Sequence, residues 1–260
     1  MQRITLALLP LTAVLTLGAC SADRPTLTDA PSARATDDPT TSSTPAADVG
    51  ERDDNDPGTL DASGLVARAV GDIDLVTTPG GPVTMSLPAT TEFGSPTVLA
   101  ATRWADADKE WLEVLVPVRP NGTTALVRAD TVTLGRTSLR VDIDLAGRRL
   151  VVHDGDATIV DTSVAIGTPE TPTPTGSYFV TDVIDNPDDA GSYGPFALGL
   201  SAHSDVLDQF GGGDGQIGIH GTNDPGSIGN AASHGCVRVS NEIITQLAGL
   251  IPRGTPVTIR

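Results

Sequence analysis

The chain has 260 residues, which is enough for one large or two modest domains with buried cores. Its 16 Lys and Arg stand against 33 Asp and Glu, and the net charge of -17 repels nucleic-acid phosphates and anionic membrane surfaces. Nucleic acid is therefore excluded as a partner. Because aromatic residues make up 3% of the chain, stacking platforms are scarce, and we expect backbone and small polar groups to hold any ligand.

The first 19 residues have the pattern of an export signal. Arg3 precedes an apolar run over residues 4–17, which is too short to span a bilayer comfortably and is typical of a secretory signal peptide. The tetrapeptide 17–20, LGAC, resembles the lipobox of bacterial lipoproteins, which implies cleavage before Cys20 and lipidation of that residue. The alternative is an ordinary cleaved signal that contains Cys20. The resemblance implies an exported protein that is anchored to the outer face of the cytoplasmic membrane.

Residues 20–62 are rich in Pro, Thr, Ser, Ala and Asp and have almost no large apolar side chains. Such a segment cannot bury enough surface to offset the entropy of ordering it. We predict a disordered, acidic tether between Cys20 and the folded part of the chain.

Residues 63–135 change to short β-branched runs separated by Gly and Pro. The alternation over 111–116 predicts a half-buried strand, and Asn121-Gly122 is a strong hairpin signal. The run around them resembles a small all-β module of the bacterial SH3-like kind. Such modules are commonly adaptors or packing partners, so we favour a core role for Trp104 and Trp111 over ligand binding.

Residues 136–260 also have mainly the pattern of strands. Alternation over 139–145 and a return strand from 150 predict an antiparallel meander, and further strands are expected over 177–183 and 255–259. A helix is predicted over 241–250 because Ile243, Ile244 and Leu247 share one face. Residues 185–215 are rich in Gly, Asp and Ser, which predicts a long functional or mobile loop.

The chemistry concentrates in residues 219–238, which contain two of the four histidines, Cys236 and Arg238. A thiol attacks as thiolate, and a nearby imidazole can take its proton to form an ion pair. His234, two positions before Cys236, and His220, sixteen positions before it, both qualify as the base.

The neighbours of the thiol have chemical uses of their own. Gly235 lacks a Cβ, so its N–H and that of Cys236 are expected to be open to a developing oxyanion. Arg238 could lower the thiol pKa, hold a substrate carboxylate, or serve as a surface ion-pair partner.

Simpler interpretations of these residues exist. An isolated cysteine is by default an inert buried side chain. A zinc site made of His220, His234 and Cys236 is conceivable, although the spacing matches no standard arrangement. We expect His153 and His203 to be solvated turn residues.

The segment IHGTNDPGSIGNAASHGCVRVSN resembles the catalytic domain of YkuD-type L,D-transpeptidases, in which a histidine-glycine opens a Gly-rich run that ends in S-x-G-C-[IV]-R. TPTPTGSYFV and GTPVTI are similar to two further strands of that family. The resemblance covers residues 137–260. It implies a mainly β fold, a β-sandwich-like catalytic domain over 136–260 with one or two short helices.

The resemblance also implies roles. Cys236 is the nucleophile, His220 rather than His234 is the general acid and base, and the carbonyl of Gly221 orients the imidazole. No metal or organic cofactor is implied. The residues expected at the substrate are Ser233, His234, Arg238, Tyr193 and Asn223.

The reaction implied is a two-step acyl transfer on peptidoglycan stem peptides. Cys236 attacks the carbonyl that joins the third residue of a tetrapeptide stem to its terminal D-Ala, and an amine of a second stem then takes the acyl group to give a 3→3 cross-link. Transfer to water, transfer to a protein amine, and a catalytically idle wall-binding lipoprotein are the alternatives. We also expect carbapenems to acylate Cys236, and we expect Tyr193 and Phe196 to be the aromatic residues over the groove.

Overall fold

A computed structural model describes residues 64–187, 190–210 and 212–260. The predicted signal peptide (residues 1–19), Cys20 and the tether (residues 20–62) lie outside the described residues. The described part is mainly β, as expected, with one α-helix and two short 3-10 turns at Ala129–Thr131 and Pro225–Ser227. None of the helices in these ranges has the length and apolarity needed to cross a membrane.

The first module, here called the β module, is an antiparallel sheet. Its strands are β1 (Leu65–Ala69), β2 (Ile73–Val76), β3 (Val83–Leu87), β4 (Val98–Trp104), β5 (Trp111–Leu115), β6 (Thr124–Arg128) and β7 (Val132–Arg136). They lie in the order β3-β2-β6-β5-β4-β1-β7. The strand expected over 111–116 and the hairpin at Asn121-Gly122 are present, since β5 pairs with β6 and Gly122 has a φ of +79°. The likeness to an SH3-like barrel stays a prediction.

The second module is built on an eight-stranded sheet. Its strands and those of a small parallel pair are β8 (Leu139–Asp144), β9 (Arg149–Asp154), β10 (Ala157–Ser163), β11 (Ile166–Gly167), β12 (Gly176–Asp185), β13 (Phe196–His203), β14 (Gln216–His220), β15 (Ala231–Ser233), β16 (Val237–Arg238) and β17 (Pro256–Ile259). The large sheet has the order β10-β9-β8-β17-β12-β13-β14-β16, and β11 pairs with β15. The predicted meander is confirmed in β8, β9 and β10.

The helix expected over 241–250 is confirmed as α1 (Asn241–Leu250). It begins where the hydroxyl of Ser240 accepts a hydrogen bond from the N–H of Ile243 at 3.3 Å, a cap that satisfies one of the free donors of the first turn. Ile244 and Leu247 are fully buried in the core of the sheet. The helix therefore covers the sheet beside β13 and β14.

The prediction of a single long loop over 185–215 is wrong, because β13 occupies the middle of this range. Residues 198–203 of this strand are all buried between β12 and β14. A strand that is covered on both faces needs no alternation of polar and apolar residues, and its small residues give the same sequence pattern as a loop. His203 is likewise not a solvated turn residue: it is 4% exposed, and its Nε2 lies 3.0 Å from Oδ2 of Asp214.

The two modules share a packed interface. Phe179 of β12 is completely buried in the hydrophobic core of the β module. Next to it, the hydroxyl of Thr91 donates to the carboxylate of Asp182 at 2.7 Å. Gly254 lies so close to Val66 that a Cβ would come within 2.7 Å of its side chain. The β module is thus part of the structural support of the second sheet.

Candidate active site

Parallel pairing of β14 with β16 brings Cys236 to His220. Ile219 pairs with Val237 and His220 with Arg238, so the residue just before β16 lies beside the end of β14. Cys236 and His220 line the same cavity despite their separation of sixteen positions in the chain. The fold thus supplies the distant histidine that the sequence left in competition with His234.

The His220 ring is held in one orientation. It is 5% exposed, and its Nδ1 lies 2.6 Å from the carbonyl oxygen of Gly221. Because a carbonyl only accepts, Nδ1 carries the proton and Nε2 is the basic nitrogen. Tyr193 packs against the ring at a centroid distance of 4.6 Å. Burial lowers the pKa of His220 to about 4, the Gly221 carbonyl opposes this, and the charge of Arg238 adds to it.

The Cys236 thiol is held by the backbone of β14. The N–H of Gly218 donates to Sγ at 3.4 Å. Burial raises the pKa of the thiol, while this hydrogen bond and the charge of Arg238 lower it. Both directions favour the uncharged thiol and the uncharged imidazole over the ion pair considered from the sequence.

Gly235 forms the turn that presents the thiol. Its φ is +122°, and a Cβ would come within 2.9 Å of Cδ1 of Ile217, so a larger residue would strain the turn. Its N–H, which we expected to face an oxyanion, instead donates to Oγ of Ser233 at 3.1 Å. That part of the expectation is wrong, because the amide is already used to close the turn. Of the two amides expected, that of Cys236 remains the candidate.

Ser233 has a supporting position rather than the expected substrate contact. It lines the cavity but is 2% exposed, and its hydroxyl donates to the carbonyl of Cys236 at 2.5 Å while accepting from Gly235. The single donor of the hydroxyl and one of its two lone pairs are thus engaged within the turn.

Two threonines that sequence reasoning missed brace the same turn. Oγ1 of Thr173 donates to the carbonyl of Gly235 at 2.8 Å and accepts from the N–H of Gly167 at 2.9 Å. Thr171 donates to the carbonyl of Ser233 at 3.3 Å. The signal was present in the run TPTPTG, whose prolines stiffen the backbone that carries both hydroxyls.

The thiol opens into a cavity of about 280 Å³ that contains Arg238 and His234. Nε of Arg238 is buried without a hydrogen-bond partner, so the guanidinium has donors to offer a ligand. His234 is exposed, and its ring stacks on Phe210 at a centroid distance of 5.1 Å. The other lining residues are Ser192, Tyr193, Ser204, Leu207, Phe210, Gly215, Gln216, Ile217, His220, Ser233 and Cys236.

A second branch of the cavity, about 550 Å³, runs from Cys236 to Glu92 and Phe93 of the β module. Tyr193 and Phe210 line both branches. Phe210 is the aromatic residue that sequence reasoning missed. Phe196, which was expected there, is half-buried against the hydrophobic core instead.

Asn223 is not brought to the site. It is exposed and lines neither branch, because the chain turns away after the buried pair Gly221-Thr222. The asparagine that matters locally is Asn241 at the start of α1, whose side-chain oxygen accepts from the N–H of Thr222 at 2.8 Å. Sequence reasoning missed Asn241 because it lies in the helix rather than in the motif.

A thiol beside an imidazole whose one nitrogen is fixed by a carbonyl has the arrangement of a nucleophile and its base. Among the described residues, no group of three His, Cys, Asp or Glu side chains is arranged to hold a metal ion.

Comparison with known proteins finds similarity to one enzyme family. Residues 138–259 match the family model of the L,D-transpeptidase catalytic domain, YkuD. Relatives named L,D-transpeptidase YkuD are 35% identical over 120 residues in Bacillus licheniformis and 33% identical over 119 residues in Bacillus subtilis. Each match covers 46% of this chain and 64% of the relative. An L,D-transpeptidase structure from Mycobacterium tuberculosis H37Rv has a TM-score of 0.40 at 18% identity, covering 54% of this chain and 66% of that one.

Residues 138–259 are therefore similar to L,D-transpeptidase catalytic domains of the YkuD family. The motif that first indicated this family, around Cys236 and His220, lies inside the matched range.

Proposed function

We propose that the protein forms 3→3 cross-links in peptidoglycan through a thioester on Cys236. The observation that carries the proposal is the geometry of His220. Its Nδ1 is fixed by the Gly221 carbonyl at 2.6 Å, which leaves Nε2 as the base in the cavity that holds the Cys236 thiol.

In the first step, Sγ of Cys236 attacks the carbonyl that joins the third residue of a tetrapeptide stem to its terminal D-Ala, and Nε2 of His220 takes the thiol proton. The tetrahedral oxyanion is stabilised by the amide of Cys236. The C–N bond then breaks, His220 returns the proton to the departing amine of D-Ala, and a thioester remains.

In the second step, a side-chain amine of another stem attacks the thioester carbonyl. His220 accepts the proton of that amine, the C–S bond breaks, and the proton returns to the sulfur of Cys236. An amide forms and a thioester is consumed, so no external energy source is needed. Water in place of the amine would give hydrolysis, and a protein amine would give protein anchoring.

Arg238 is proposed to hold a carboxylate of the donor stem. Its buried Nε has no partner, and the described residues show no ion pair to its guanidinium. A planar guanidinium binds a carboxylate with two parallel hydrogen bonds, which lysine cannot reproduce. We expect Arg238→Lys to raise KM for a free-acid stem more than for the same stem amidated at its C-terminus.

Export and anchoring follow from the N-terminal pattern alone. We propose that Cys20 is lipidated and that the protein acts in the wall from the outer face of the cytoplasmic membrane. Labelling of the wild type, but not of Cys20→Ser, with an alkyne fatty acid supports this, and equal labelling would refute it.

The test of the reaction is incubation of purified protein with a tetrapeptide stem, with and without an amine acceptor, followed by mass analysis. Loss of D-Ala together with a dimeric product supports transfer, while loss of D-Ala without a dimer indicates a carboxypeptidase. Absence of both products would refute the proposal and favour an idle wall-binding protein.

Matched histidine variants test the choice of base. We expect His220→Gln to reduce kcat by about 100-fold or more, because general acid–base catalysis contributes roughly that much. His234→Gln should have a far smaller effect. A larger loss for His234→Gln would reverse the assignment.

Carbapenems provide a second test of the nucleophile. We expect a covalent mass increase on the wild type that is absent from Cys236→Ala. An adduct on both proteins would place the reactive group elsewhere.

A further inference from the structure

One wall of the active-site cavity belongs to a stretch that the β module holds in place. Residues 204–210 and 212–215, here called the wall segment, connect β13 to β14 and contribute Ser204, Leu207, Phe210 and Gly215 to the cavity beside Cys236. Phe210 also stacks on His234, two positions before the nucleophile. The position of this segment therefore decides the width of the groove.

Arg119, in the β5–β6 connection of the β module, reaches three carbonyl groups of the wall segment. Its Nη1 donates to Asp214 at 2.6 Å, and its Nη2 donates to Leu207 at 2.9 Å and to Ser204 at 3.2 Å. One guanidinium thus ties both ends of the segment to a single point. Hydrogen bonds from a charged donor are about twice as strong as those between neutral groups.

Asn121, two residues further, holds the start of the same segment. Its amide nitrogen donates to the carbonyl of His203 at 2.7 Å and to the carboxylate of Asp205 at 3.1 Å, and its amide oxygen accepts from the N–H of His203 at 2.9 Å. The side chain therefore pairs with both backbone groups of His203, the last residue of β13, and also reaches Asp205 in the wall segment.

The wall segment has few backbone restraints of its own. Within it, the described backbone hydrogen bonds are those between Phe210 and Gly213 and from Ser204 to Gly215. Its side-chain bonds are those of the Ser204 hydroxyl, which accepts from the N–H groups of Val206 and Leu207, and those of the Asp214 carboxylate with His203 and with the N–H of Gln216. Its exposed apolar side chains, Val206 at 53% and Phe210 at 43%, add little burial. Stretches with few buried contacts open at low free energy, so the bonds from the β module supply a large share of what fixes the segment.

We propose that Arg119 and Asn121 are positioning residues for the transpeptidase site. They act through the wall segment and hold it in the conformation that fits the stem peptide. The inference rests on the proposed function for its substrate, and it gives the β module an indirect part in substrate binding. This positioning role involves no change in the positions of Cys236 and His220.

The test compares Arg119→Ala and Asn121→Ala with Arg103→Ala in the otherwise unchanged protein. Arg103 is a suitable control because its guanidinium pairs with Glu113 inside the β module, with Nε at 3.0 Å from that carboxylate, and it lines neither branch of the cavity. For the two positioning variants, KM for the tetrapeptide stem should rise about tenfold, the change expected when a stabilising interaction of ordinary strength is lost. kcat and the rate of Cys236 alkylation by iodoacetamide should change less than threefold.

Two further measurements separate positioning from loss of folding. Deuterium uptake in peptides that cover residues 204–215 should increase in Arg119→Ala and stay unchanged in Arg103→Ala. Arg119→Lys should recover part of the lost affinity, because an ammonium group can still reach one of the carbonyls. A merely unstable protein would instead lose kcat in proportion to its unfolded fraction, with KM unchanged.

The proposal is overturned if Arg119→Ala matches Arg103→Ala in KM and in deuterium uptake. Absence of any turnover by the wild type would instead refute the proposed function. Deuterium uptake still decides the positioning role in that case, because it needs no substrate.

Discussion

Replacing Thr173 by Val should destabilise the protein more than its small change in shape indicates. The threonine hydroxyl is buried, with 4% of the residue exposed, and it bridges the N–H of Gly167 and the carbonyl of Gly235. Valine has nearly the same volume and cannot replace either bond. Each of the two backbone groups left unsatisfied in the interior costs about 1–3 kcal/mol, so we expect a loss of about 2–6 kcal/mol in the free energy of unfolding.

The measurement is urea unfolding of Thr173→Val beside Thr245→Val. Thr245 is the matched control because its hydroxyl also bonds a backbone carbonyl, that of Asn241 at 2.8 Å, but at an exposed position of α1. We expect a change of about 0.5 kcal/mol or less for the control, since water replaces the lost bond. Turnover per folded molecule should also fall in Thr173→Val, because Gly235 precedes the nucleophile. If the two variants unfold within about 0.5 kcal/mol of each other, the bracing of this turn by Thr173 is refuted.

Three further predictions follow from burial and backbone geometry. The pKa of His220 is near 6.5 in the unfolded chain, and burial lowers the pKa to about 4 in the folded protein. Between pH 7 and pH 4.5 the free energy of unfolding should therefore fall by about 2–3 kcal/mol more for the wild type than for His220→Gln. Parallel pH profiles of the two proteins would contradict this. Gly235→Ala, at a φ of +122°, should cost about 1–3 kcal/mol and most of the activity, whereas Gly249→Ala in α1, with open space around it, should be neutral or stabilising in thermal unfolding. Phe179→Ala should cost about 3–5 kcal/mol and lower the unfolding midpoints of both modules together; a loss confined to one module would refute the shared core.

The local parts of the fold could be predicted from the sequence because their signals are local. Alternation located β5, β8 and β9, and the apolar face of residues 241–250 located α1. β13 was missed because its buried run of Gly, Ser and Ala side chains has no alternation and resembles a loop. A central strand is recognised by what covers it, which only the assembled sheet shows.

The sequence likewise predicted one part of the site and not another. The motif identified Cys236, His220 and Gly221 by their order in the chain. The orientation of two polar groups did not follow from the motif: the Gly235 amide donates to the Ser233 hydroxyl within the turn. Such pairings depend on backbone angles that a pattern of residue types does not contain.

Contacts between the modules were beyond the sequence for a different reason. Arg119 and Asn121 lie 82–95 positions from the groups they bind, and each belongs to a run that by itself indicates only a hairpin. Their partners are mostly backbone carbonyls, which every residue carries. The residue type at the partner positions therefore gives no indication of the contact.

The two sides of the groove are held by bonds that differ in burial. The turn that carries Cys236 is fixed by a buried hydrogen bond from Thr173 and a partly buried one from Ser233, whereas the facing wall is fixed by an exposed bond from Arg119 and a partly buried one from Asn121. A buried bond costs its full desolvation penalty when broken, while an exposed one is largely replaced by water. Local opening is therefore expected first in the wall rather than at the turn that carries Cys236. Under the function proposed above, the wall would move to admit a stem peptide while Cys236 and His220 keep their positions, so the bonds from the β module would set how readily the peptide enters.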